Sequence, residues 1–325
     1  MKSRRACSLL AAVAAVLATA LAAPAVAFDL QAHRGGRGLL PENTLAAFEN
    51  ALKMGVTTLE LDIAITADGV AVISHDPALN PAFVRDPQGR WLKEGGPLIK
   101  SLSLAEVQGY DVGRLNPEHP YARTFASQQP IDGQRIPTLA SLFALVKRLG
   151  ADKVQFDIET KMSPGKPDDT LAPEAFVPAL LAVIREAGMT ERVMIQSFDW
   201  RTLALIQRQQ PGMRTVYLTF EGRNSNVLDP VRTAGLLRHD YPSVAHMVKA
   251  AGGTTWSPSF NSIDAAAVAQ AHALGLLFIP WTVNEPADMR RLIDWGVDGL
   301  ITDYPDRLRE VMKERGIALP SGVKP

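Results

Sequence analysis

Between Phe28 and Glu314, short apolar runs alternate with segments of helical periodicity, and the alternation repeats eight times. The runs centre on Gln31, Leu61, Phe156, Met194, Val216, Trp256, Ile279 and Leu300. After the first, Leu45, Phe48, Leu52 and Met54 recur at helical spacing, with Asn43 or Thr44 ahead of them as a cap and Gly55 as a stop. Eight strand–helix units in about 300 residues are the size and rhythm of an α/β TIM (β/α)8 barrel. The competing architecture is a doubly wound open sheet, which opens its first helix on a G-x-G-x-x-G turn. Gly35-Gly36-Arg37-Gly38 does not meet that pattern, so the barrel is the expected fold.

The same reading predicts strands over 28–32, 57–65, 153–160, 192–197, 215–219, 254–257, 276–283 and 299–302. Thr138 and Asp199 are expected to open helices over 138–149 and 199–209. Asp68-Gly69 reads as a hairpin turn leading into a short extra strand over 70–74. The rhythm breaks over 77–137, where Asp86-Pro87-Gln88-Gly89 and Gly95-Gly96-Pro97 are turn punctuation and only a piece near Leu104 is helical. A connection this long is more often functional than accidental, and we expect an insertion after the second strand that caps the site. A second irregular stretch covers 221–241.

The N-terminus has the features of a signal peptide over 1–27. Lys2, Arg4 and Arg5 precede an apolar run over 9–21, and Ala25-Val26-Ala27 supplies a cleavage pattern after Ala27. The run is shorter than the roughly 20 residues a bilayer requires, so no stable membrane anchor is expected. The mature domain would be residues 28–325 of a periplasmic or secreted protein. Cys7, the single cysteine, falls in the leader, so the mature chain has no disulfide to form. Without the three leader cations, 31 basic residues face 34 acidic ones. That balance argues against a nucleic-acid surface, and any phosphate recognition must be local.

The chemistry concentrates between His33 and Asp76. Glu60 and Asp62 share one face of their strand, opposite Leu59, Leu61 and Ile63. On the third strand Asp157, Glu159 and Lys161 share a face in the same way. Carboxylates gathered in a barrel mouth repel unless protonated or bound to a cation, and three of them suit one Ca2+ or Mg2+. Asp157 stands as a rival ligand to Glu159, and a salt-bridged strand end with Lys161 or Arg34 is the bland alternative. His33 and His75, each a structural residue if read singly, together flank the acidic pair as a candidate acid–base couple. Arg34 can hold a phosphate oxygen in a bidentate fork and Lys161 can act as a point charge. Trp281, read alone, is a core residue. His119, His239, His246 and His272 lie in loops or helices and take the bland reading.

His33-Arg34-Gly35 with Pro41-Glu42-Asn43-Thr44, Glu60-Leu61-Asp62, His75-Asp76-Pro77, Glu159-Thr160-Lys161, Ser197-Phe198-Asp199, Trp281-Thr282-Val283-Asn284 and Asp298 to Pro305 together resemble the glycerophosphodiester phosphodiesterase family, in order across nearly the whole mature chain. The resemblance implies a TIM barrel with an insertion after the second strand and metal-dependent hydrolysis of glycerophosphodiesters to sn-glycerol 3-phosphate and an alcohol. It implies one divalent cation, Ca2+ or Mg2+, on Glu60, Asp62 and Glu159, with His33 and His75 as general base and acid. Arg34 and Lys161 would neutralise the phosphate, Trp281 would line the pocket, and Glu42 and Asn43 would fix the loop behind Arg34. The partner implied is a small-molecule phosphodiester. Two alternatives keep the barrel: a lysophospholipase D-type enzyme with Phe83, Trp91, Leu92, Leu98 and Ile99 as a lipid-accepting lid, and a non-catalytic secreted binding protein.

Overall fold

The structure, a computed structural model, describes residues 27–324 apart from 223, 224 and 227. The expected leader lies almost wholly outside these residues. Eight parallel strands form the barrel: β1 Asp29–Ala32, β2 Thr58–Ile65, β3 Gln155–Thr160, β4 Val193–Ser197, β5 Arg214–Thr219, β6 Thr255–Pro258, β7 Leu277–Phe278 and β8 Gly299–Thr302. Their order is β7-β6-β5-β4-β3-β2-β1-β8. The ring closes between β7 and β8, where Asp298 N–H donates to the Phe278 carbonyl at 3.0 Å and Ile301 N–H to the Pro280 carbonyl at 3.1 Å. Around it run α1 Leu45–Met54, α2 Leu139–Arg148, α3 Pro173–Glu186, α4 Trp200–Gln209, α5 Val244–Ala250, α6 Ala265–Ala273, α7 Pro286–Asp294 and α8 Pro305–Glu314. None of the described helices is long and apolar enough to cross a membrane.

Strand parity sorts the side chains. Leu59, Leu61 and Ile63 of β2 and Phe156 and Ile158 of β3 are buried in one core with Phe48 and Leu52 of α1 and Leu142 and Phe143 of α2. Phe143 meets Phe156 edge to face at 4.9 Å. The alternate residues, Glu60, Asp62, Asp157 and Glu159, therefore point into the barrel. Helix starts follow the expected chemistry. The side chains of Thr44, Thr138 and Asp199 accept from the N–H groups of Ala47, Ser141 and Arg201. Each such cap contributes about 1 kcal/mol.

Two expectations need correction. The seventh strand, expected over 276–283, forms a regular ladder only at Leu277–Phe278. Pro280 has no N–H to donate, although Ile279 and Trp281 still donate to β6. Glu60 and Asp62 lie within β2, as the expected strand over 57–65 has them. The strand is prolonged past them by its antiparallel partner Ala71–Ile73, with Ile63 opposite Ile73. The insertion over 77–137 carries a second one-turn helix at Tyr121–Thr124 beside that at Leu104–Val107. It packs Leu79, Val84, Ile99, Val107, Val112 and Ile136 into a small core of its own around Val72.

Candidate active site

β1 delivers His33 to the C-terminal mouth of the barrel, where the chain turns sharply. Arg34 takes a left-handed conformation at φ 52° and Gly35 follows at φ 80°. A Cβ on Gly35 would lie 3.0 Å from Ala47 Cβ and from the Phe48 ring, so the loop can lie this close to α1 only with glycine there. The turn aims the Arg34 backbone N–H at Glu60 Oε2, 2.8 Å away. The guanidinium is held by Glu42, Nη1 to Oε1 2.7 Å, with Nε 3.4 Å from Asp62 Oδ2. Asn43, also left-handed at φ 57°, donates its backbone N–H to the Arg34 carbonyl and its side-chain amide to Asp62 Oδ2 at 3.0 Å. Glu42 and Asn43 thus fix the loop behind Arg34.

Glu60, Asp62 and Glu159 each turn one oxygen to a common point, all within 4.8 Å of one another and all buried. Register explains the grouping. Asp62 lies opposite Glu159, whereas Glu60 lies opposite Asp157. Asp157 is therefore one layer deeper and outside the trio, whose third member is Glu159. Burial, and then the charge of Asp29, push the Asp157 carboxyl well above the usual range. Within the trio, burial and the neighbouring Asp62 drive Glu60 upward. For Asp62, burial is outweighed by His75, Arg34 and Lys161, which hold it well below the ordinary carboxylate range. Lys161 Nζ lies 2.8 Å from Glu159 and 3.7 Å from Asp62. Asp62 Oδ1 is buried without a hydrogen-bond partner. Three hard oxygen donors, one of them orphaned, are a donor set that fits a divalent cation.

His33 lies beside the trio, its Nε2 3.9 Å from Glu60 Oε2. Its Nδ1 is 2.5 Å from Asp303 Oδ1, and the other Asp303 oxygen accepts from Asn284 at 2.7 Å. Burial, then the charge of Arg37, lower the imidazole to about 4 against the pull of Asp303. In its neutral form, a ring with a carboxylate at Nδ1 carries its proton there and leaves Nε2 as an acceptor. His75, half-buried, bonds Asp76 Oδ1 through Nδ1 at 2.9 Å, and Asp76 is held in turn by Asn80.

His33, Arg34, Glu60, His75, Glu159 and Lys161 line a cavity of about 120 Å³ together with Gln196, Phe198 and Trp281. Trp281 is a pocket wall, not a core residue. It donates Nε1–H to the Ser257 carbonyl at 2.9 Å and stands edge to face with Phe198 at 5.3 Å. Past this pair opens a second cavity of about 220 Å³ walled by Met162, Phe198, Phe220 and Trp281. All eight residues singled out from the sequence, His33, Arg34, Glu60, Asp62, His75, Glu159, Lys161 and Trp281, converge on this mouth. Three others belong with them. Gln196 donates to Glu60 Oε1 at 2.6 Å, Arg37 lines the cavity, and Asp303 anchors His33. Asp303 carried a signal, being an acid at the end of a barrel strand just before a helix. Gln196 carried none. His246 and His272 bond Ser243 and Asp298 on the helical shell, in keeping with their bland reading.

The Glycerophosphoryl diester phosphodiesterase family profile matches residues 33–307. A glycerophosphodiester phosphodiesterase of Bacillus subtilis (strain 168) is 31% identical over 287 residues, covering 87% of this chain and 85% of the relative. A solved homologue from Silicibacter pomeroyi DSS-3 superimposes with a TM-score of 0.81 at 36% identity, over 91% of this chain and 96% of that one. An Oleispira antarctica phosphodiesterase, solved in complex with the product sn-glycerol-3-phosphate, shares the fold with a TM-score of 0.67 at 20% identity, over 88% and 96% of the two chains. With a motif series, a barrel and a mouth that agree with these matches, the chain belongs to the glycerophosphoryl diester phosphodiesterase family of hydrolases.

Proposed function

We propose that this chain hydrolyses glycerophosphodiesters to sn-glycerol 3-phosphate and an alcohol, using one divalent cation and a histidine acid–base pair. The observation that carries the reading is the meeting of three buried carboxylate oxygens with a histidine whose Nδ1 is held by Asp303. Glu60, Asp62 and Glu159 would hold the cation, which when bound supplies Lewis-acid polarisation of the phosphate and of the attacking hydroxyl.

The chain's own groups account for the rest. Arg34, clamped by Glu42, and Lys161 hold the non-bridging phosphate oxygens and balance the charge that builds there. His33 Nε2 accepts the proton of the attacking hydroxyl, and Asp303 stabilises the imidazolium that forms. His75, oriented by Asp76, returns a proton to the departing alkoxide as its bond to phosphorus breaks. Trp281 and Phe198 give one substituent of the phosphate an apolar wall. The leader features, a basic start, an apolar run and Ala25-Val26-Ala27, support export with cleavage after Ala27 to a periplasmic or secreted enzyme.

The test is release of glycerol 3-phosphate from glycerophosphocholine by the protein beginning at Phe28, in EDTA and with Ca2+ or Mg2+ restored. Activity that returns with metal and is lost in His33→Ala and His75→Ala is the expected result. Folded protein inactive with every metal would overturn the reading, and a parallel arm with lysophosphatidylcholine would separate out the lysophospholipase D alternative.

A further inference from the structure

The insertion grips the active-site loop. Gln128 donates its side-chain amide to the Arg37 carbonyl at 2.8 Å, and Gln129 N–H donates to the Leu39 carbonyl at 2.8 Å. The Tyr121 hydroxyl donates to Glu42 Oε2, the carboxylate that clamps Arg34, and accepts from Arg37 Nη1 at 3.0 Å. Arg37 in turn donates Nε–H to Asp303 Oδ1 at 2.7 Å and lies 4.8 Å over the Phe125 ring. One unbroken chain of bonds therefore runs from Arg34 through Glu42, Tyr121, Arg37 and Asp303 to His33. Its middle member comes from the insertion.

Arg37 is the member with capacity to spare. Its side chain is only 15% exposed and lines the 120 Å³ cavity beside Arg34 and His33. Two of its three nitrogens are bonded, and Nη2 makes no hydrogen bond among the described residues. Glu42 and Asp303 offset the like-charge repulsion between Arg34 and Arg37, so both guanidiniums stay charged at the cavity wall. A planar guanidinium fixed at two nitrogens presents its remaining N–H groups in one direction, the geometry suited to a phosphate oxygen.

We propose that Arg37 is a second phosphate-binding arginine and that Tyr121 is its positioning residue, so that the insertion completes the anion site. This rests on the phosphodiesterase reading for its substrate, but not for its first test. In hydrolysis the phosphate gains negative charge as the nucleophile adds, and a cation already fixed beside it needs no reorganisation to meet that charge.

The experiment is calorimetric titration of inorganic phosphate, and separately of glycerol 3-phosphate, into wild type, Arg37→Ala, Arg37→Lys, Tyr121→Phe and the double variant Arg37→Ala/Tyr121→Phe, in Mg2+. Thermal melts would accompany each protein. Loss of one charge-assisted bond corresponds to a ten- to hundredfold weaker Kd on the order-of-magnitude scale. That is the expected result for Arg37→Ala. Arg37→Lys, which keeps the charge but cannot span Asp303, Tyr121 and the phosphate together, should weaken binding by about tenfold. Tyr121→Phe should weaken it about three- to tenfold, and its effect should fail to add to that of Arg37→Ala, which a merely structural role would not produce. In the hydrolysis assay Tyr121→Phe should raise KM at an unchanged pH profile. Wild-type phosphate binding matched within twofold by both Arg37 variants, or no phosphate binding by wild type, would overturn the inference. Phosphate binding that follows the expected order in a protein unable to cleave glycerophosphocholine would instead uphold Arg37 and overturn the phosphodiesterase reading.

Discussion

Glu60→Gln separates what the acidic trio does for the cation from what it does to the fold. The three carboxylate oxygens lie within 4.8 Å of one another. At an effective dielectric constant of about 20, two full charges at that distance repel by about 3–4 kcal/mol. Lys161 and Arg34 answer part of this, and a bound dication would answer the rest. A cation present at about a hundred times its Kd adds about 2.7 kcal/mol to the folded state, which for a chain of this size raises Tm by about 5 °C. Glutamine keeps the shape but removes a ligand charge. It also has one acceptor oxygen where Glu60 used two, for the Arg34 N–H and the Gln196 amide. The clash that results costs about 1–2 kcal/mol, comparable to the repulsion relieved. The cation-free Tm of Glu60→Gln should therefore fall within about 3 °C of wild type, while its metal-dependent rise shrinks below about 1 °C. Scanning fluorimetry in EDTA, Ca2+ and Mg2+ reads both. A wild type indifferent to either metal, or a variant that keeps the full rise, would refute the assignment of the trio as the cation site.

Asp303→Asn removes the carboxylate at His33 Nδ1 and frees the imidazole to adopt the other tautomer. Steady-state kinetics should show kcat reduced on the order of a hundredfold or more, with the fold intact by circular dichroism. Because burial and Arg37 hold His33 near 4, the acidic limb it sets in kcat/KM should fall below the ordinary imidazole value of 6.5. A limb at or above 6.5 would remove His33 as the base. For stability the sign is the same. The unfolded ring takes a proton that the folded ring resists, so this contribution is present above pH 6.5 and is lost as pH falls toward 4, readable by urea titration across that window. Gly35→Ala places a Cβ 3.0 Å from Ala47 and Phe48 on a residue at φ 80°. It should cost about 2 kcal/mol or more and lower Tm by several degrees, and a neutral result would show that the loop can yield.

Most of the barrel was legible because its signals are local. Apolar parity marked β2 and β3, and Thr44, Thr138 and Asp199 announced their helices through their own side chains. The exception has a physical cause. Pro280 withdrew a donor from a run that otherwise reads as strand. At the site, the residues carrying charge at strand ends could be found singly. Choosing Glu159 over Asp157 needed the β2–β3 register, which no spacing within one strand contains. Tyr121 reads as one more residue of an irregular loop, since only the folded insertion brings its hydroxyl to Glu42 and Arg37.

β1 pairs with β8, Asp29 opposite Gly299 and Ala32 opposite Thr302. His33 and Asp303 extend that pairing across a separation of 270 residues. Closing so long a loop is entropically slow and becomes favourable only when the intervening units are in place. A growing or partly folded chain can carry the acidic trio on β2 and β3 well before it carries an anchored His33. The proposed acid–base arrangement is thus timed by the seam of the barrel: the anchor of His33 arrives with the last strand. A chain cut short before residue 299 leaves β1 paired with β2 alone and has no Asp303 carboxylate for His33, so an unfinished copy lacks the arrangement proposed to attack a phosphodiester.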